Sequence, residues 1–188
     1  MKLYNLALRD SKSSYFLDRF SGSLIQISDS FLKPNSTLPE KIKHNLDFCN
    51  EPYLLNNKTI EINKTLQYND SKSISLSRIA SRIIYLCRAN LFWLAHKYVS
   101  FLKPSFESSM EAICFFRKQT TSLPQSSLCL PRSLFAASAS RRFAESGVIF
   151  IGIFLPTRSM HAWVIENGQQ PDCDDSMWVN FRPVAALC

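Results

Sequence analysis

Residues 126–154 read SSLCLPRSLFAASASRRFAESGVIFIGIF, and the change of pattern inside this stretch decides the fold class. Ser126 or Ser127 offers an N-cap, Pro131 is tolerated because first-turn N–H groups have no intrahelical partner, and Gly147 stops the helix. Cys129 therefore stands at a helix start. The apolar run Val148–Phe154, ended by Pro156, reads as a buried strand. After a short loop, HAWVIE (161–166) reads as a second strand, and Asn167-Gly168 is a favoured hairpin turn leading into Asp172, Cys173, Asp174 and Asp175. A helix followed by antiparallel strands makes this half of the chain α+β.

Upstream, SFESSMEAICFFRKQ (105–119) predicts a helix that begins near a Ser cap with Glu107 in its first turn. LSRIASRIIYLCRANLFWLAHKYVSFL (76–102) predicts a long amphipathic helix closed by Pro104. Arg82, Arg88, His96 and Lys97 interrupt it, so it falls short of the roughly 18 uncharged apolar residues of a membrane span. QYNDSKSIS (67–75) is polar and reads as a linker. Before it come a hairpin in YFLDRFSGSLIQIS (15–28) around Ser21-Gly22-Ser23, a helix in LPEKIKHNLDFC (38–49), and another hairpin around Asn56-Asn57. The expected organisation is a small β-rich module over residues 1–70 and a second domain over residues 75–188.

Composition narrows the function classes. Hydrophobic content of 46% with 14 Phe supplies a core, and 20% charged residues is too low for a disordered chain. The net charge of +7 admits an acidic partner, but Lys and Arg are scattered rather than gathered into a stripe, which argues against nucleic acid. The six cysteines are widely spaced, with no CxxC and no Cys/His cluster in metal-ligand register, so neither a zinc site nor a disulfide framework is expected. The apolar run before Arg9 is too short for a signal peptide, and a reducing, cytoplasmic setting is the expectation.

A cysteine at a helix N-terminus sits where backbone N–H groups and the macrodipole favour the thiolate, which is the nucleophile. A histidine on a neighbouring strand can take the thiol proton and return it to a leaving amine, while a carboxylate fixes the ring's tautomer. Cys129, His161 and one of Asp172, Asp174 and Asp175 supply these roles in chain order. Each has an ordinary reading alone: a small buried hydrophobe, a packed strand residue and a solvated turn.

CLPRSL at 129–134, Gly147, the strand VIFIGIF and then HAWV, NG and D together resemble the C-terminal peptidase domain of lasso-peptide biosynthesis B proteins, which are transglutaminase-like cysteine peptidases. The separation of 32 residues between Cys129 and His161 fits that pattern. The resemblance covers about residues 75–188. It implies a transglutaminase-like or papain-like helix and antiparallel-sheet domain, preceded by a winged-helix-like leader-recognition module in residues 1–70. It also implies a leader peptidase acting on a ribosomally made precursor, with Cys129 as nucleophile, His161 as proton carrier, and Asp174 or alternatively Asp172 orienting His161. Trp163 is expected at the substrate, and Arg132, which matches the motif, is expected either to position substrate or to form a helix-surface ion pair. The implied partners are the precursor's leader and an asparagine-synthetase-like, ATP-using cyclase. Family members are said to cleave in an ATP-dependent way, yet with four glycines in the chain no phosphate-binding loop is present and no intrinsic cofactor is expected. Two alternatives stay open: a catalytically degenerate scaffold that only binds the leader, and a transglutaminase-like acyltransferase.

Overall fold

Val148–Phe154 is apolar at nearly every position because both of its faces are covered, the condition under which a strand reads as a continuous hydrophobic run. The computed structural model describes residues 1–6, 8–10, 13–18, 20–28, 38–50, 70–172 and 177–188. Its central antiparallel sheet has the order β1 (Leu3–Asn5), β7 (Arg182–Leu187), β5 (Val148–Phe154), β6 (Ser159–Ile165). Ile149, Ile151, Ala162, Val164, Ala185 and Leu187 face one layer of helices: α2 (Asp70–Arg88), α3 (Phe92–Val99), α4 (Ser109–Gln119) and α5 (Cys129–Ala139). On the other face Val148, Phe150, Trp163, Ile165 and Ala186 pack with Ile42 of helix α1 (Glu40–Asn50). A second antiparallel sheet, β2 (Leu8–Asp10), β3 (Ser13–Leu17) and β4 (Leu24–Ser28), rests Tyr15 and Leu24 against Ile153 and Val184. The α+β class expected from the sequence is what the elements form.

Described residues of the expected leading module, Leu3–Asn5 and Leu17, join the sheet and core of the second half. β1 pairs with β7 from Leu3↔Leu187 to Asn5↔Ala185, and Leu17 belongs to the same cluster as Phe135 and Val164. The first hairpin forms as expected, with Gly22 at φ +69° and its N–H bonded to the Asp18 carbonyl at 2.9 Å. The second, around Asn56-Asn57, lies outside the described residues.

Several boundaries differ from expectation for local reasons. Helix α2 begins at Asp70, inside the stretch read as a linker; that stretch is polar but holds no Pro or Gly to stop a helix. The long helix after it is split. Asn90 takes φ +55°, the Leu91 N–H reaches the Leu86 carbonyl at 2.9 Å, and the Asn90 N–H reaches that of Cys87 at 3.2 Å, which is a Schellman C-cap. Glu107 lies before α4, whose cap is Ser108 and whose first-turn acid is Glu111. The informative helix is also two: α5 stops at Ser140, whose hydroxyl caps α6 (Arg141–Ser146) by accepting from the Phe143 N–H at 3.1 Å. Gly147 has extended backbone, and a Cβ there would come within 2.3 Å of the Phe143 ring. It ends the helix by allowing close approach, not by a left-handed turn.

The kink and the sheet are tied together by Glu166. Its carboxylate, 8% exposed, accepts from the Ser109 N–H at 3.1 Å, the Ser109 hydroxyl at 2.5 Å and the Ser140 hydroxyl at 3.4 Å. One acid thus meets the first turns of α4 and α6, where negative charge is favoured. No described helix is long and apolar enough to cross a membrane. Replacing Glu166 with Ala leaves these buried donors unpaired and is expected to lower unfolding free energy by about 1–3 kcal/mol, measured by urea denaturation with m unchanged.

Candidate active site

Helix α5 starts at Cys129 without a side-chain cap: Ser126 and Ser127, read as capping residues, form a short 3₁₀ turn with Gln125, and Leu128 stands at the N-cap position. Pro131 fits because it occupies the first turn, and the Arg132 N–H makes the early helical bond to the Leu128 carbonyl at 2.9 Å. The helix is fixed by burial. Leu134, Phe135 and Ala136 are fully buried, and Phe135 contacts Phe106, Phe115 and Phe116 at centroid distances of 6.3, 5.9 and 5.5 Å. Leu134 and Phe135 each contribute about 1.5–3 kcal/mol through burial.

This packing brings the start of α5 to β6, the end strand of the central sheet. Cys129 is half-buried there, within hydrogen-bonding reach of the His161 imidazole and of the Ala162 backbone N–H. Burial pushes the thiol pKa up, but the hydrogen bond and charge of His161, the Ala162 N–H and the charge of Arg132 outweigh it, and the net shift is down. The other cysteines near the core behave oppositely. Cys49 and Cys87 are pushed up to about 12, mainly by burial, with the Trp163 indole opposing it slightly at Cys49 and the neighbouring Cys129 adding to it at Cys87. Of the three histidines, the one beside Trp163 is the one at the thiol whose pKa is lowered.

The His161 ring is held between aromatic faces. It lies parallel to Trp163 at 6.1 Å and 15°, and tilts against Phe181 at 5.1 Å and 37°. Trp163 in turn packs on Phe150 and Trp178. His161 sits opposite Gly152 in the β5–β6 register, and a Cβ on Gly152 would come within 2.7 Å of the Trp163 ring and 2.8 Å of the Arg182 carbonyl. The glycine makes room for the indole that supports the histidine.

The remaining expected site residues are placed differently. Trp163 is 1% exposed and packs against His161; a side chain that buried offers no surface to a substrate. Arg132 is 5% exposed and points inward, its Nε 2.9 Å from Asp172 Oδ2. Asp172, also buried, meets Arg117 Nη2 with its other oxygen at 2.6 Å. Its carboxylate is committed to two guanidinium groups. Asp174, with Cys173 and Asp175, lies outside the described residues. Among the described residues no group of three His, Cys, Asp or Glu side chains is arranged to hold a metal ion. Gly152 had a sequence signal, a lone glycine inside an apolar strand marking close approach. Phe181 and Arg117 had none, because their partners lie far along the chain. Compared with known proteins, the chain matches no family model, and no curated protein or solved structure is similar enough to count as a relative.

Two outcomes follow from this geometry. Iodoacetamide at about pH 6.5 is expected to modify Cys129 first while Cys49 and Cys87 stay unlabelled in the native protein, as read by peptide mapping. Gly152→Ala is expected to cost about 1–3 kcal/mol of stability and to slow Cys129 alkylation by displacing Trp163 from beneath His161.

Proposed function

We propose that the protein is a cysteine peptidase that removes the leader from a ribosomally made lasso-peptide precursor. The freed core amine would pass to a partner cyclase resembling asparagine synthetase for macrolactam closure. The observation that carries the chemistry is Cys129 at the start of α5, beside His161, with its thiol pKa lowered despite burial. The choice of substrate rests on the resemblance of CLPRSL, Gly147, VIFIGIF and HAWV to lasso-peptide biosynthesis B proteins.

In the proposed mechanism the Cys129 thiolate attacks the carbonyl at the leader–core junction. The oxyanion that forms faces first-turn amides of α5 that have no intrahelical acceptor. His161, protonated by the thiol, gives its proton to the leaving amine, and the core departs. The same imidazole then takes a proton from water, which attacks the acyl-enzyme and releases the leader as a carboxylic acid. Asp174 is assigned to orient His161, since Asp172 already serves Arg117 and Arg132. Residues 1–70 would hold the leader as an added strand, a common mode of peptide capture. The protein would act in the cytoplasm, with ATP used by the partner.

Cys129→Ala is expected to reduce precursor cleavage by at least about 10³-fold while leader binding, followed by fluorescence anisotropy, is retained. Cleavage that survives this change would sink the mechanism. Mass spectrometry of the released leader should find a free carboxylate; an amide adduct would instead mark an acyltransferase. The cleavage rate should fall as pH drops through the lowered thiol pKa, because protonation removes the nucleophile, with limbs that belong to the Cys–His pair jointly. A flat profile from about pH 5 to 8 would count against a titrating histidine.

A further inference from the structure

We propose that the cavity between the start of β1, the β3–β4 turn and α3 is a binding site for a small aromatic monocarboxylate, whose ring lies against Trp93 and Phe20 and whose carboxylate meets Lys2 and Lys97. None of these residues belongs to the Cys129–His161 site.

The cavity has a volume of about 600 Å³, and its lining includes Lys2, Leu3, Phe20, Trp93, His96 and Lys97. That volume falls within the roughly 300–1,000 Å³ of small-molecule sites, which are mostly apolar with a few placed polar groups. Its walls are fixed by specific contacts. Gly22 takes φ +69°, and a Cβ there would come within 3.0 Å of the Phe92 side chain, so the glycine lets the turn lie directly on α3. Asp18 holds the turn by accepting from the Phe20 N–H at 3.2 Å and the Ser21 N–H at 3.0 Å. Phe20 and Trp93 thus face one cavity while 55% and 37% exposed. Two large aromatic side chains open to water at one concave place favour an apolar ring as the occupant.

Charge selects the rest of the ligand. The Lys2 Nζ lies 5.1 Å from the centre of the Tyr4 ring and the Lys97 Nζ 5.5 Å from that of Trp93, and among the described residues neither has a carboxylate partner. The residues lining the cavity include no acid. Burial, aided by the charge of the terminal amine and opposed by a bond to the Met1 carbonyl, lowers the His96 pKa, so the imidazole is neutral at neutral pH and the two lysines are the cations. An ammonium over an exposed ring is held weakly, whereas a carboxylate offers it a charge-assisted hydrogen bond. His96 and Lys97 belong to the last turn of α3, where the helix end carries partial negative charge. That end disfavours a dianion such as a phosphate more than a single carboxylate.

The test is calorimetric titration of the whole 188-residue chain with naphthylacetate, beside the neutral naphthylacetamide, ring-less acetate and naphthyl phosphate. Naphthylacetate should bind one-to-one with Kd below about 1 mM. The amide and acetate should bind about tenfold more weakly, since each lacks one half of the recognition. Lys2→Met and Lys97→Met should each weaken naphthylacetate roughly two- to fivefold and leave the amide unchanged, while Trp93→Ala should weaken both. All three side chains are exposed, so the variants should fold, as checked by circular dichroism; should Trp93→Ala fail, the two lysine variants decide. Equal binding of acid and amide would reveal an unselective apolar patch and overturn the proposal. Tighter binding of the phosphate, no binding of naphthylacetate, or an affinity that the lysine substitutions leave unmoved would overturn it as well.

Discussion

The burial of α5 is the constraint on which the rest of the molecule depends. Pro131 to Ala136 are all buried, with Phe135 locked among Phe106, Phe115 and Phe116 and the helix laid along β6. A helix enclosed this way has little freedom to slide or rotate, because interiors are packed at near-crystalline density and every ångström of displacement opens voids or forces overlaps. Its first residue is therefore placed as firmly as its middle. Cys129 needs no cap of its own to be positioned; the aromatic cluster one to two turns away does that work.

The surrounding elements serve the same placement from other sides. Glu166 joins the end of β6 to the starts of α4 and α6 through Ser109 and Ser140, so the strand that carries His161 is bonded to the helices that precede and follow α5. On the opposite face of the sheet, Gly152 admits the Trp163 indole, and the indole with Phe181 fixes the plane of the His161 ring. The thiol and the imidazole thus approach each other across the sheet's end strand, each backed by its own aromatic core. The lowered thiol pKa is a matter of balance: burial opposes the thiolate, and the histidine, a backbone amide and a buried guanidinium together overcome that opposition.

Much of this was legible in the chain. The strand Val148–Phe154 followed from its unbroken apolar run, the turn from the Asn167-Gly168 pair, both of which take positive φ, and the position of Cys129 at a helix start from the proline two residues on. Cys129 and His161, linked in the sequence by chain order, stand within reach of each other. Less was legible where a residue's meaning depends on a distant partner. Asn90 and Ser140 look like unremarkable helix residues until tertiary contacts favour a break at each. The resemblance pointed Trp163 to the substrate and Arg132 to the substrate or an ion pair, and both side chains are buried, Arg132 in an ion pair with Asp172.

The sequence by itself determined the elements and the chemical types at the site, because hydrophobic period, turn residues and proline positions act locally and leave their mark in a few consecutive letters. Tertiary structure alone decided that Arg117, 55 residues before Asp172, shares its carboxylate with Arg132, and that residues 3–5 complete a sheet begun by residues 148–187. These choices depend on which faces meet after the helices have packed. Local pattern carries no information about that, since one amphipathic face can be satisfied by many partners and only the whole core selects among them.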